Sequence, residues 1–113
     1  MYIVIRNYAN AAALADAMAQ RQQEVTELMR GVPGFVAYYA TRDGEGVTTV
    51  TVCDSREGTQ ESTRRAREWV KQNLPNASIA APQVTQGETF IHGDRPPRER
   101  ASPRTTNAVS TSR

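Results

Sequence analysis

The stretch Gly34-Phe-Val-Ala-Tyr-Tyr-Ala-Thr-Arg-Asp-Gly-Glu-Gly-Val-Thr-Thr-Val-Thr-Val-Cys53 decides the fold. Two strand-length runs of β-branched and aromatic residues flank Asp43-Gly-Glu-Gly46, whose glycines suit a tight turn, so the stretch reads as a β-hairpin. A hairpin with one solvated face alternates apolar and polar residues; this one does not. Phe35, Ala37 and Tyr39 fall on one face of its first strand, and Val36, Tyr38 and Ala40 on the other. On its second strand Val50 and Val52 oppose Val47, Thr49, Thr51 and Cys53. Helices can cover one side of such a sheet. The other would expose an apolar patch that monomers seldom carry. A second copy of the sheet would cover it, so the pattern predicts a homodimer joined through sheet faces.

Working outward, Tyr2 to Tyr8 reads as the first strand. Asn10 is placed to cap a helix in which Leu14, Met18, Val25, Leu28 and Met29 recur at helical spacing, ending at Gly31 and Pro33-Gly34. A second helix begins at Asp54 or Ser55 and runs to about Leu74, with Ala66, Trp69, Val70 and Leu74 on its buried stripe and Ser62 on the same side. Glu61–Arg65 and Arg64–Glu68 are four-residue charge pairs along it. Gln83 to His92 is the last strand. The order β-α-β-β-α-β predicts an α+β, ferredoxin-like domain: a four-stranded antiparallel sheet with two helices on one face.

The domain spans residues 1–92. Residues 93–113 contain Val109 and otherwise no large apolar side chain, so they read as a flexible Arg/Pro/Ser-rich tail. Five arginines against Asp94 and Glu99 give that tail +3, leaving −1 for the rest of a chain whose total is +2. The basic pI therefore belongs to the tail, and no nucleic-acid partner is expected of the domain. A single cysteine excludes a disulfide framework, and Cys53 reads as a buried thiol. With no signal-peptide pattern and no long apolar run, the expectation is a cytoplasmic protein without membrane contact.

Several segments carry a family resemblance: Tyr2-Ile-Val-Ile-Arg-Asn-Tyr8, Val32-Pro-Gly-Phe35, Tyr38-Tyr39, the Val50-Thr-Val52 to Asp54-Ser55 passage, and Glu61-Ser-Thr-Arg-Arg-Ala-Arg-Glu-Trp-Val70. Together, over residues 2–92, they resemble the dimeric α+β barrel proteins, in particular the antibiotic-biosynthesis monooxygenase-like (ABM) branch and its small bacterial members without an assigned role. The resemblance implies two sheets closing into a barrel across a dimer, with a ligand pocket between each sheet and its own helices. It implies a cofactor-independent monooxygenase acting on a small aromatic or polyketide-like molecule, whose anion supplies electrons to dioxygen in an apolar pocket. The alternative is a non-catalytic module that binds a small ligand or supports assembly. Haem-degrading relatives use a strand-one Asn, a Trp on the second helix and a later His. Asn7 matches the first, but Ser62 and Gln72 stand at the other two positions and Trp69 lies about two turns further on, so haem degradation is not expected.

The catalytic candidates are Asn7, which could hydrogen-bond a ligand or a dioxygen-derived group, and His92, the one histidine. The ligand-pocket candidates are Arg6, Tyr38, Tyr39 and Trp69. Each has a plainer reading: a strand-end Asn, a surface His, packing tyrosines, a core Trp. Arg6, a charge within a strand, needs a partner or an anion; Glu88 is the plain partner. No metal-ligand spacing, glycine-rich phosphate loop or nucleophile elbow occurs, so neither metal nor cofactor is expected. A catalytic site would be a closed cavity with Asn7 or His92 facing inward. A binding or structural module would show both at the surface and the helix–sheet space filled.

Overall fold

The structure, a computed structural model, describes residues 1–96 of the 113. Its elements are β1 (Tyr2–Tyr8), α1 (Ala12–Gln20), α2 (Gln22–Arg30), β2 (Phe35–Asp43), β3 (Gly46–Cys53), α3 (Arg56–Asn73) and β4 (Gln83–Glu88). The strands form one antiparallel sheet in the order β2-β3-β1-β4, the expected ferredoxin-like arrangement. The greater part of the expected tail, residues 97–113, lies outside the described residues. None of the described helices is long and apolar enough to cross a membrane.

The hairpin forms as its turn residues demand. Asp43 pairs with Gly46 across a two-residue loop, with Gly44 at φ +61°, a conformation that glycine adopts without strain. The helix that follows is capped at Ser55, whose side chain accepts from the Gly58 N–H at 3.4 Å. Gly58 lets α3 approach the sheet closely: a Cβ there would lie 2.5 Å from the Pro33 carbonyl oxygen and 2.9 Å from Cys53 Cβ. Glu61 holds both Arg64 and Arg65 at 2.8 and 2.9 Å, so Arg64 turns back to Glu61 and forms no ion pair with Glu68.

Five expectations are corrected. Asn10 does not cap a helix; it takes φ +49° and Ala11 begins α1 with no side-chain cap. The single first helix is two, broken at Arg21, whose guanidinium donates to Asn73 Oδ1 at the end of α3. The break lets α1 lie over β3 and α2 over β2 on a twisted sheet. Phe35 changes face, because a register shift between Phe35 and Ala37 makes Val36 an extra residue. Phe35 thus packs with Tyr38 and Ala66 around Met29, Val32 and Cys53, beneath the helices. Strand β4 ends at Glu88, not His92. The inner stripe of α3 is smaller than expected: Gly58 and Thr59 are buried beside Trp69 and Ser62, both placed on this side by the sequence, while Ala66, Val70 and Leu74 are half-buried.

The register sorts the two faces. On the helix side lie Val4, Arg6 and Tyr8 of β1 and Val47, Thr49, Thr51 and Cys53 of β3, all buried. On the outer side two cross-strand rows run Tyr39–Val50–Ile5 and Ala37–Val52–Ile3, with Thr41–Thr48–Asn7–Gln83 as a polar row at one end. No described element covers the two apolar rows, and Tyr39 is 59% exposed.

Candidate functional site

The strand period places Arg6 on the helix side, directly opposite Thr49 on β3 and Val84 on β4. It is fully buried. Nε donates to Thr49 Oγ1 at 3.0 Å and Nη2 to Thr51 Oγ1 at 2.5 Å. Nη1 donates to Ser62 Oγ at 3.1 Å and Thr63 Oγ1 at 2.8 Å. Ser62 Oγ in turn donates to the Thr59 carbonyl at 2.7 Å, which leaves its lone pairs for the arginine. Arg6 therefore stitches β1 to β3 and α3, and this cage accounts for both the threonines of β3 and the polar inner stripe of α3.

All four partners are neutral hydroxyls. Among the described residues no carboxylate pairs with Arg6, and the expected Glu88 partner stands opposite Tyr2, on an exposed strand. Burial lowers the Arg6 pKa, but a guanidinium keeps its proton at any ordinary pH. A full positive charge thus stands in the core, solvated by dipoles alone.

Tyr8 and Tyr38 are the ionisable groups closest to it in effect. Burial pushes the Tyr38 hydroxyl up to about 12 and Tyr8 upward as well, with Arg6 opposing both shifts. Both remain protonated donors near neutrality. The raised Tyr38 value has a stability consequence. Below the unfolded value near pH 10 its contribution is complete. Above it the unfolded chain loses a proton that native Tyr38 keeps, so stability is lost as pH climbs toward 12, by about 1.4 kcal/mol per unit. Urea midpoints at about pH 9 and about pH 11.5 should show this fall, and Tyr38→Phe should lessen it. The same slope in wild type and variant would mean that Tyr38 titrates as if exposed.

Trp69 is buried and its Nε1 donates to Glu24 Oε2 at 2.9 Å, across to α2. With Tyr8, Leu14, Met18, Tyr38 and Thr49 it lines a small void of about 20 Å³ beneath the helices. Beside that void, between α1–α2 and β2, opens a groove of about 380 Å³ walled by Met18, Ala19, Val25, Tyr38, Ala40 and Arg42. Arg42 is exposed and pairs with Asp16 at 2.9 Å. Cys53 is buried, and burial raises its thiol pKa.

The other sequence candidates lie elsewhere. Tyr39 is on the outer sheet face. Asn7 is exposed on that same face and accepts from Thr48 Oγ1 at 2.6 Å. His92 is exposed beyond β4, 3.8 Å from Asp94 Oδ2. Arg6, Tyr38 and Trp69 are therefore brought together around the helix–sheet space, whereas Asn7, Tyr39 and His92 are outside it. Among the described residues no group of three or more His, Cys, Asp and Glu side chains is placed to hold a metal ion. What sequence reasoning missed is the role of the hydroxyls Thr49, Thr51, Ser62 and Thr63 as partners of Arg6. Their signal was alternate threonines on β3 facing the same side as a strand arginine.

No family model and no curated protein matches the chain. Solved structures do. A protein provisionally described as an antibiotic biosynthesis monooxygenase, from Chloroflexus aurantiacus, is 20% identical, with a TM-score of 0.56 over 81% of this chain and 96% of that one. The haem degrader MhuD of Mycobacterium tuberculosis, solved with two haems in its active site, is 15% identical, with a TM-score of 0.60 over 83% of this chain and 100% of its own. A dimeric ferredoxin-like protein from an uncultured marine organism is 10% identical, with a TM-score of 0.61 over 84% of this chain and all of that one. The fold expected from the ABM resemblance is thus met. At these identities the likeness speaks to fold alone.

Proposed function

We propose that the protein is a small-ligand-binding module, dimeric through its sheet faces, that takes a flat aromatic or polyketide-like molecule into the groove between α1–α2 and β2. One observation carries the reading. The space beneath the helices is filled to about 20 Å³, while the adjoining groove of about 380 Å³ mixes apolar side chains such as Met18 and Val25 with Gln22, Thr26 and Thr41 and holds, among the described residues, no base that works near neutral pH. Its ionisable groups are Tyr38 and Arg42. A volume of that size is within the about 300–1,000 Å³ usual for small-molecule sites. General base catalysis needs a group poised near the working pH and within reach of the substrate proton.

A second reading, a monooxygenase acting without a cofactor, is favoured by the descriptions of solved structures of this fold. In it the Tyr38 hydroxyl would donate to a substrate oxygen, and the substrate's own anion would reduce dioxygen.

Isothermal titration of the full chain with hydroxynaphthoquinones, paired with an oxygen electrode, separates the two. The expected result is saturable binding that perturbs Trp69 fluorescence, with no oxygen uptake. Oxygen uptake that tracks protein concentration would establish the second reading. No binding at millimolar ligand would overturn both.

A further inference from the structure

We propose that the dimer also closes at its edges, so that β4 and the Phe90–Ile91 pair of each copy run along β2 of the other and the partner's Val84 becomes a wall of the ligand groove; this rests on the sheet-face dimer and on the groove's being the ligand site. The starting point is area. Four strands about 4.8 Å apart and about seven residues long make an outer face of about 19 by 24 Å, or about 450 Å². A stable pair buries about 800 Å² on each partner. Side-chain relief enlarges the face, yet one of its rows is polar. More surface is needed than the face supplies.

The edges hold it. Phe90 and Ile91 follow β4 and are 91% and 76% exposed, the most exposed large apolar side chains among the described residues. All six residues of β4 are exposed, including Val84 on the helix side. At the opposite edge Val36, Tyr39 and Ala40 are exposed. Edge strands that stay unpaired are usually guarded by lysine or proline. Gln83–Glu88 contains neither, and nor does the stretch from Ala37 to Arg42.

Side-chain height decides which edges meet. In the two outer rows β2 carries Tyr39 and Ala37, whereas β4 carries Thr85 and Gly87. Stacking β2 over β4 sets the tall edge on the low one and fills the interface evenly. Stacking like edges leaves a wedge of empty space at β4. Unlike edges meet when the two-fold axis runs along the strands. β3 and β4 both run against β1, and β2 runs against β3, so β2 and β4 run oppositely and join in the antiparallel sense. The pleat then brings the partner's Val84 up on the helix side with Tyr38, Ala40 and Arg42, which line the groove. Among the described elements β2 is the last strand on that side, so the partner supplies the wall that the chain itself lacks.

The test uses full chains. Ala40→Cys combined with Val84→Cys should give a disulfide-linked dimer on air oxidation. Within one chain the two positions lie three strands apart, about 14 Å, too far for a bond. Each single substitution should stay unlinked, and a link through one of them would mean that like edges pair, overturning the proposal. So would the absence of a link both here and in Ala40→Cys with Gln86→Cys, which covers the neighbouring register. Phe90→Ser with Ile91→Ser should raise the dimer dissociation constant at least about tenfold; an unchanged constant would remove that pair from the contact. Val84→Asn, exposed in its own chain, should leave a folded dimer that binds hydroxynaphthoquinones about tenfold more weakly. Unchanged affinity would take the partner out of the ligand site. A wild type that forms the link as the double variant but binds no quinone at millimolar concentration would sink the groove reading and leave the edge contact standing.

Discussion

Arg6→Ala is expected to destabilise the domain by about 2–5 kcal/mol. The substitution removes the side chain that joins β1, β3 and α3, opens a cavity, and strips four hydroxyls of their donor. Truncating a large buried side chain costs about 2–5 kcal/mol in lost packing and cavity formation. A domain of this size has about 5–15 kcal/mol in total. The urea midpoint should fall by about 2 M, read by far-UV circular dichroism. The informative companion is Arg6→Met combined with Thr49→Val, Thr51→Val and Ser62→Ala. Replacing both sides of a buried polar network by apolar groups of like shape is often neutral or stabilising. That variant should come within about 1 kcal/mol of wild type, with Thr63, half-exposed, finding water instead. Such recovery would show that stability alone does not require the arginine. If the combined variant is as unstable as the alanine, the cage is a structural device that apolar packing does not replace.

What could be read from sequence follows the range of the forces involved. The hairpin turn, the Ser55 cap and the succession of strands and helices along the chain rest on local chemistry, on glycines, short side chains and spacing acting over a few residues, and they were legible. The break at Arg21 was not. No glycine or proline marks it, and the tie that accompanies it comes from Asn73, 52 residues away. The face of Phe35 was misread because one inserted residue, Val36, reverses everything N-terminal to it. Thr89 to His92 look like a continuing strand, yet β1 starts at Tyr2, so beyond Glu88 only the Met1 carbonyl remains, and Thr89 N–H takes it at 2.8 Å. The cage is the sharpest case. Arg6 and the threonines of β3 were each visible, but their convergence depends on the register of β1 against β3 and on α3 crossing above, contacts spanning 43 to 57 residues. Pairing Arg6 with Glu88 failed for the same reason, since register sets Val84 beside it.

Val50→Lys is expected to turn a dimer into a folded monomer. Val50 sits at the centre of the outer sheet face, between Tyr39 and Ile5, with Val52, Ile3 and Ala37 in the next row and a polar row beyond. Apolar centre and polar edge is the anatomy of a protein interface. In a two-fold dimer through this face the substitution acts twice. Two losses of about 2 kcal/mol each raise the dissociation constant about a thousandfold. The monomer should keep its secondary structure, because Val50 is only half-buried within its own chain and its backbone pairing is untouched. Gln60→Lys, exposed on α3 in the helix layer, adds the same charge and should leave the mass unchanged. Light scattering coupled to size exclusion reads both. A wild-type monomer at tens of micromolar would mean that these two apolar rows stand in water for some other partner. A Val50→Lys dimer would move the interface off this face, to the free edges of β2 or β4, and the groove beside β2 would then lie at the subunit boundary. An interface confined to the edges would still make the ligand site depend on assembly.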